Sequence, residues 1–245
     1  MTKPVIKCVG KTDIGLKRTT NEDAYCTALE MGFCLVADGL GGAAAGEVAS
    51  QMFSDTALEV FSEAVDRIEV EVVGRIKATF RLANERIQNY VRENPTKAGM
   101  GCTADLFALS NEGFVIGHIG DSRSYRFRKG QLKQLTKDHS LVQSQIDQGL
   151  LSIEDAKNHP MRHVVLRALG TEEDLALDLI KGRVYPEDQF LLCSDGLTTM
   201  VDDMVIQNTL SSVYPIEEKA EHLINQALSA GGMDNVTIVL IEAMQ

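Results

Sequence analysis

Four aspartates in this chain of 245 residues stand at the ends of strongly apolar segments. Asp38 and Asp195 each follow such a segment and precede Gly-Leu, Asp121 follows a third segment, and Asp234 comes just before a fourth. Carboxylates gathered at the ends of buried strands repel one another in a low dielectric. A shared hard cation relieves that repulsion, and all-oxygen ligand sets suit Mg²⁺ or Mn²⁺. The pattern predicts a divalent metal site, to which the Gly39 carbonyl can contribute because a glycine lets the backbone approach closely.

Three other interpretations compete with the metal site. A single strand-end aspartate is more commonly a turn residue or a helix cap, but the repeated context of Asp38 and Asp195 argues against four coincidences. The segment 39–44 imitates a dinucleotide-binding fingerprint, yet Asp38 would repel the pyrophosphate. The segment 41–48 has the glycine spacing of a phosphate-binding loop but carries Glu47 where lysine is required. Both nucleotide interpretations therefore fail on charge.

Short segments rich in Val, Ile, Phe and Tyr predict the strands that would position these acids. They lie at 5–9, 25–29, 33–37, 103–109, 114–119, 123–128, 175–181, 189–193 and 235–241. Apolar residues at helical spacing predict helices from Val48 to Phe61, from Val73 to Tyr90 and near 216–230. Short polar turns between the middle strands favour antiparallel pairing. We expect an α+β fold in which two antiparallel sheets pack as a central sandwich flanked by pairs of helices.

The stretch 139–170 differs from its surroundings. It is more polar, contains three of the five histidines and shows only short helical fragments, which indicates an excursion between two strands. The chain shows no repeat of fixed period and no Pro/Ser-rich linker. We therefore expect residues 1–245 to form one domain.

Composition narrows the range of partners and compartments. With 24 Lys and Arg against 35 Asp and Glu, the net charge is −11, which disfavours electrostatic binding of nucleic acid or anionic membranes. No apolar stretch approaches the roughly 18 residues that span a bilayer, and no apolar leader is evident. The five cysteines are widely spaced and mostly within apolar segments, so we expect reduced thiols and a cytoplasmic protein. The absence of a Cys-x-x-Cys pair disfavours a zinc site, and no cysteine has an arginine six positions later, as a thiol phosphatase requires.

The acids belong to an ordered series of motifs that resembles the metal-dependent Ser/Thr protein phosphatases of type 2C. The series is RTTNEDA (18–24), VADGLGG (36–42), MGCTADL (100–106), IGDSRSYR (119–126), LTKDHS (135–140), HPMRHVVLRALG (159–170), LLCSDGL (191–197) and GGMDNVTIV (231–239). Any one of these segments is weak evidence. Their order along nearly the whole chain makes the resemblance specific.

The resemblance implies a role for each acid. Asp38 would bridge two metal ions, and the Gly39 carbonyl would bind one of them. Asp195 and Asp234 would complete the shell of the second ion, and Asp121 would hold a third, more weakly bound ion, as in bacterial-type members. The expected cofactor is accordingly Mn²⁺ or Mg²⁺.

The resemblance also implies roles outside the metal shell. Arg18 would grip the substrate phosphate, Glu22 and Asp23 would orient metal-bound waters, and 139–170 would form the flap beside the catalytic cleft. The implied activity is hydrolysis of phosphoserine and phosphothreonine by a metal-bridging water or hydroxide, without a phosphoenzyme. The implied partners are phosphorylated proteins, substrates of a bacterial Ser/Thr kinase, and we expect a monomer.

One departure leaves the proton donor open. Some family members carry histidine directly after the metal-binding Asp-Gly, where this chain has Leu40. Metal-bound water, His159 or His163 would then protonate the leaving group, although a structural role is the commoner one for each histidine. A pseudophosphatase of the same fold that binds phosphoproteins without catalysis is the alternative function. The presence of every expected acid and of Arg18 favours catalysis over that alternative.

Overall fold

Two five-stranded antiparallel sheets form the centre of the fold. The computed structural model describes residues 4–41, 45–62, 67–172 and 175–244. The strands are β1 (Val5–Asp13), β2 (Ala24–Ala28), β3 (Phe33–Ala37), β4 (Gly39–Leu40), β5 (Gly101–Cys102), β6 (Ala104–Leu109), β7 (Phe114–Ile119), β8 (Arg123–Arg128), β9 (Gln131–Gln134), β10 (Asp178–Gly182), β11 (Gln189–Cys193) and β12 (Val236–Met244). One sheet has the order β1-β12-β11-β8-β9 and the other β10-β7-β6-β3-β2, while β4 and β5 pair separately.

Helices lie over the outer faces of both sheets and within the stretch 139–170. They are α1 (Gly46–Phe61), α2 (Glu69–Glu93), α3 (Leu141–Asp147), α4 (Ile153–Lys157), α5 (Asp195–Thr198), α6 (Asp203–Ser211) and α7 (Ile216–Ser229). A short 3₁₀ turn at Pro95–Lys97 follows α2, where proline prevents the helix from continuing. Within the ranges given above, none of the helices is long and apolar enough to cross a membrane.

Three apolar cores hold these layers together. Between the sheets, the rings of Phe107, Phe114 and Phe190 pack with centroids 4.9–5.4 Å apart. Phe53 of α1 and Phe80 of α2 meet at 5.0 Å above one sheet. Residues of α5, α6 and α7 form the third core over the other sheet. The predicted α+β sandwich flanked by helices is confirmed.

The predicted strands are all present, and the differences concern short or exposed elements. The last part of the predicted strand 175–181 is β10, because Leu175 and Leu177 pack against the helix-covered core before pairing begins. Sequence patterns missed β9, which is polar and lies at a sheet edge, and α6. In such short elements few apolar residues repeat, so periodicity gives little signal.

The stretch 139–170 leaves and rejoins the body of the protein at neighbouring points. It contains α3 and α4, and its two ends meet through an antiparallel bridge between Ser140 and Val165. A second bridge joins Leu169 to Cys102 of β5. The excursion predicted from its polarity is therefore anchored at its base beside the strand that pairs with Gly39.

Candidate metal centre

Asp38 lies at the end of β3, where a neighbouring threonine fixes its backbone. The Asp38 N–H donates to Thr103 Oγ1 at 3.1 Å, and the Thr103 N–H donates to the Asp38 carbonyl at 2.8 Å. The Thr103 hydroxyl also bonds the Ser122 hydroxyl at 2.7 Å. Because Ser122 directly follows Asp121, this pair of hydroxyls ties the loop that carries Asp121 to the loop that carries Asp38.

A second hydroxyl joins Asp23 to the strand end that carries Asp195. The Ser194 hydroxyl donates to Asp23 Oδ2 at 2.8 Å and accepts from the Thr237 N–H at 3.0 Å. The Ser194 N–H in turn donates to the Thr237 carbonyl at 3.0 Å. These bonds fix the end of β11 against β12, so that Asp195 starts α5 beside Asp23.

The Asn235 side chain bonds the segment between β1 and β2 to the start of β12. Its side-chain oxygen accepts from the Glu22 N–H at 2.8 Å, and its amide donates to the carbonyls of Ile14 and Thr20 at 2.9 Å each. Its own N–H donates to Asp234 Oδ1 at 2.8 Å. One buried amide therefore holds the loop that contains Arg18 against the loop that contains Asp234.

Arg18 lies against Asp234 in this structure. Arg18 Nη2 donates to Asp234 Oδ2 at 2.7 Å, while half of the Arg18 side chain remains exposed. This hydrogen bond raises the pKa of the Arg18 guanidinium. Arg18, which is expected to bind phosphate, thus lies beside Asp234, an expected metal ligand. Part of its guanidinium remains exposed to solvent.

Two glycines allow Glu22 and Gly39 to pack against the start of α1. A Cβ on Gly39 would lie 2.3 Å from the Gly46 carbonyl carbon, and a Cβ on Gly46 would lie 2.2 Å from Glu22 Oε2. The Gly39 N–H donates to the Glu22 carbonyl at 3.1 Å. Glycine is therefore needed at positions 39 and 46, because the backbone after Asp38 lies against the start of α1 and Glu22 with no space for a Cβ.

The acids share one electrostatic environment centred on Asp38. Burial raises the pKa of Asp38 well above its ordinary value, and the charges of Asp23, Asp195, Asp121 and Asp234 raise it further. Burial first, and then the neighbouring charges of Asp195 and Asp234, raise the pKa of Asp23 to about 7. The structure thus brings the four strand-end acids into electrostatic range of one another and adds Asp23 to them.

Asp121 occupies the least exposed part of this group. It is 8% exposed, and burial followed by the charges of Asp195 and Asp138 raises its pKa to about 8. The Arg123 charge opposes that shift, but Arg123 is already held by three hydrogen bonds to the Asp138 carboxylate, two from its Nε at 2.9 and 3.1 Å and one from its Nη2 at 2.7 Å. Arg123 is therefore bonded to Asp138, and its charge only partly offsets the effect of burial on Asp121.

This environment fits a hard divalent cation. Asp23 Oδ1 is buried and has no hydrogen-bond partner, which is costly unless a ligand or an ordered water satisfies it. Several carboxyls with raised pKa values lose their mutual repulsion when a cation lies between them. No three His, Cys, Asp or Glu side chains in the described part of the chain already form a set of ligands for one ion. The assignment of each acid to a particular ion therefore stays a prediction.

The flap histidines occupy different positions. His163 Nδ1 lies 3.8 Å from Asp195 Oδ2, and the side chain is 54% exposed. His159 Nδ1 instead accepts from the Met161 N–H at 3.2 Å, a local contact within the flap. Leu40 pairs with Gly101 in the small sheet and offers no polar group. Of the two candidate donors, His163 is the one that the structure places beside an expected metal ligand.

The other histidines have structural partners, as expected. His118 is buried, with its Nδ1 2.5 Å from Asp105 Oδ1 and its Nε2 3.0 Å from the Lys137 carbonyl. His139 accepts from the Gly120 N–H at 3.1 Å and so fixes the residue before Asp121. His222 lies on α7 with its ring 4.9 Å from that of Tyr214.

Sequence reasoning missed the neutral residues that position the acids, namely Thr103, Ser194 and Asn235. Each stands within one of the motifs quoted above, but its uncharged side chain carries no electrostatic signal of a site. The only available signal was adjacency, because Ser194 precedes Asp195 and Asn235 follows Asp234.

Known proteins resemble this chain over almost its full length. The family model described as protein phosphatase 2C matches residues 17–231. The Ser/Thr phosphatase stp of Listeria monocytogenes is 36% identical over 236 residues, which cover 95% of this chain and 94% of the relative.

Solved structures show the same similarity in three dimensions. The crystal structure of the Mycobacterium tuberculosis Ser/Thr phosphatase PstP matches with a TM-score of 0.90 and 34% identity, over 98% of this chain and 99% of the other. A structure of the PstP catalytic domain in complex with two manganese ions matches with a TM-score of 0.86 and 33% identity, over 98% and 99% of the two chains.

Proposed function

The chain is a Ser/Thr protein phosphatase of the protein phosphatase 2C family that depends on a divalent metal, and on that premise we propose how its residues act. Asp38, Gly39, Asp195 and Asp234 would hold two Mn²⁺ or Mg²⁺ ions, and Asp121 would hold a third. When bound, such ions would lower the pKa of a coordinated water and polarise the phosphoryl oxygens. The supporting observation is the group of acids around Asp38, since burial and the charges of these acids raise the pKa of the Asp38 carboxyl.

Arg18 binds the phosphate of the substrate. Its guanidinium is a planar fork suited to phosphate oxygens, and half of the side chain is exposed in the structure. The Asp234 carboxylate holds one side of the fork at 2.7 Å, which leaves other N–H groups for the ligand. Arg18 therefore orients the phosphoryl group beside the acids.

Asp23 and Glu22 orient the attacking water. Asp23 Oδ2 is occupied by the Ser194 hydroxyl, so the unpartnered Oδ1 is free to accept a hydrogen bond from water. Burial raises the pKa of Glu22, and the Arg18 charge opposes that shift. The water oxygen forms the new bond to phosphorus while the bond to the serine or threonine oxygen breaks, so no residue of the chain becomes phosphorylated.

His163 donates a proton to the leaving oxygen. Its ring lies 3.8 Å from Asp195 and is half exposed, so it is accessible to a substrate that binds between the flap and the acids. Leu40 occupies the position from which some relatives are thought to donate, and His159 is engaged with the Met161 N–H.

The substrates are phosphorylated proteins, and a Ser/Thr kinase of the same cell supplies them. The enzyme acts as a monomer, with the stretch 139–170 as the flap of its catalytic domain. The alternative is a pseudophosphatase of the same fold, which would bind phosphoproteins without turnover.

Turnover of p-nitrophenyl phosphate and of a phosphothreonine peptide tests the proposal. We expect activity with Mn²⁺, none after chelation, and none in Asp38→Asn at any Mn²⁺ concentration. Asp55→Asn is the matched control, because Asp55 is an exposed residue of α1 whose contact is with Gln51. Activity that survives chelation, or an Asp38→Asn variant that turns over like wild type, would contradict the metal-dependent scheme. Phosphopeptide binding without turnover in wild type would establish the pseudophosphatase.

A further inference from the structure

An open groove of about 660 Å³ lies on the helical face that carries α5, α6 and α7. Met200 and Val205 line one side, while His222, Gln226 and Ala230 line the other. The walls are thus the turn after α5, the start of α6 and the C-terminal half of α7. None of these residues has a part in the phosphatase chemistry described above.

The loop after α7 joins the rim of the groove to the segment that leads to Arg18. A Cβ on Gly231 would lie 3.9 Å from Met233 Cγ and 4.0 Å from Met200 Sδ, so the loop after α7 meets the rim of the groove. The Leu16 N–H donates to the Gly232 carbonyl at 2.7 Å, which joins that loop to the segment leading to Arg18. Leu16 and Met233 are 63% and 54% exposed. Two exposed apolar side chains therefore lie beside the loop that separates the rim of the groove from Asp234.

The lining suits a polypeptide better than an anion. Within the described ranges, the residues that line the groove include no lysine or arginine, and Asp202 stands among them. The side chains of Asn225, Gln226 and Ser229 supply amide and hydroxyl groups for backbone hydrogen bonds, above the apolar surface of Val201. Apolar surface with a few polar groups is typical of sites that bind a side chain and its adjoining backbone.

The flap borders the same face. Lys157 Nζ of α4 lies 3.5 Å from Asp202 Oδ1 at the groove, and His163 approaches Asp195 at the acids. Both contacts place the flap along the path between the groove and the phosphate site. A chain segment bound in the groove would therefore run between the flap and the loop after α7.

We propose that this groove binds the polypeptide of the phosphoprotein substrate and takes an apolar side chain near the phosphorylated residue. The inference rests on the proposed function, since it concerns the same substrate. It explains how an enzyme whose phosphate site recognises only the phosphoryl group discriminates between phosphoproteins.

A series of phosphothreonine peptides tests the groove, with one leucine moved through an otherwise alanine sequence. We expect leucine at one or two positions to raise kcat/KM about five- to tenfold, as partial burial of a leucine side chain implies. That preference is lost in Val205→Glu, which introduces a charge, and in Ser229→Trp, which fills the groove. Val213→Glu keeps it, because Val213 is 99% exposed and outside the groove. Each kcat/KM is divided by that for p-nitrophenyl phosphate, so that changes in the chemical step cancel.

The outcomes separate this inference from the proposed function. If wild type shows Mn²⁺-dependent turnover of p-nitrophenyl phosphate but no leucine preference, the groove proposal fails and the phosphatase scheme stands. A preference that persists in both groove variants overturns it as well. If Val205→Glu changes the sedimentation of the free protein and leaves the preference intact, the groove binds a second copy of the chain instead. Absence of metal-dependent turnover in wild type would remove the phosphatase scheme itself.

Discussion

Replacing Arg18 by alanine should weaken phosphate binding far more than it changes metal binding. In the structure Arg18 pairs with Asp234, and the two side chains are 50% and 31% exposed. Exposed ion pairs contribute about 0.2–1 kcal/mol, which corresponds to about a 1.4- to 5-fold change in affinity. Because the lost group is a cation that shares Asp234 with the metal, its removal should tighten Mn²⁺ binding within that range.

Arg18→Ala should weaken the binding of the substrate phosphate by a larger factor than it changes the Mn²⁺ affinity. A hydrogen bond to a charged group contributes about 1.5–3 kcal/mol, so KM should rise by about 10- to 150-fold. The increase appears in KM for a phosphothreonine peptide at saturating Mn²⁺, while isothermal titration of the metal alone gives the Mn²⁺ affinity. Arg18→Lys should lie between wild type and alanine, because lysine keeps the charge and loses the planar fork.

Arg81→Ala is the control for the loss of one positive charge, since Arg81 is exposed on α2 and pairs with Glu85. Its KM should equal that of wild type. An unchanged KM in Arg18→Ala would place Arg18 away from the phosphate. A Mn²⁺ affinity weakened tenfold or more would mean that the Arg18–Asp234 pair organises the metal site rather than competing with it.

Further changes probe the acids and their supports. Asp121→Ala should fold normally and lose much of its rate, because an outer ion loses its ligand; full activity at every Mn²⁺ concentration would contradict this. Asn235→Ala leaves the Glu22 N–H without its partner and should lower the free energy of unfolding by about 1–3 kcal/mol in urea titrations, whereas an unchanged unfolding midpoint would deny it a positioning role. In chelated protein, burial raises the pKa of Asp23 to about 7 and that of Asp121 to about 8. Both carboxyls therefore lose their protons at lower pH in the unfolded state than in the folded state. Stability should therefore fall as pH rises from about 4 through 8, and Asp23→Asn should flatten that fall. At pH 8, Mn²⁺ should raise the melting temperature, and identical melting with and without chelator would count against a metal site.

The acids were predictable because their signal is local. Asp38 and Asp195 each end a buried apolar strand and precede glycine, so the sequence alone indicates that both side chains leave the core. Which acids meet depends on the order of strands in the sheets, and that order follows from pairings between distant segments. The resemblance supplied this information, and the structure places all four acids in one electrostatic environment.

The supports were not predictable for a physical reason. Thr103, Ser194 and Asn235 act through hydrogen bonds to loops far away in the chain, such as that from Ser194 to Asp23. Serine, threonine and asparagine occur in most loops for local reasons, so their type carries little information until the loops are placed. The same applies to His159 and His163, whose spacing in the sequence does not tell which one faces Asp195.

The chemistry of the supports follows from what the acids must do. A cationic support inside the cluster would stabilise the carboxylates and would also compete with the metal for them. Neutral hydroxyl and amide groups fix the backbone without that competition, as Thr103 and Asn235 do. The nearby cation Arg123 is held by the carboxylate of Asp138. Arg18 is half exposed, so under the proposed function it could exchange part of its contact with Asp234 for the phosphate of the substrate.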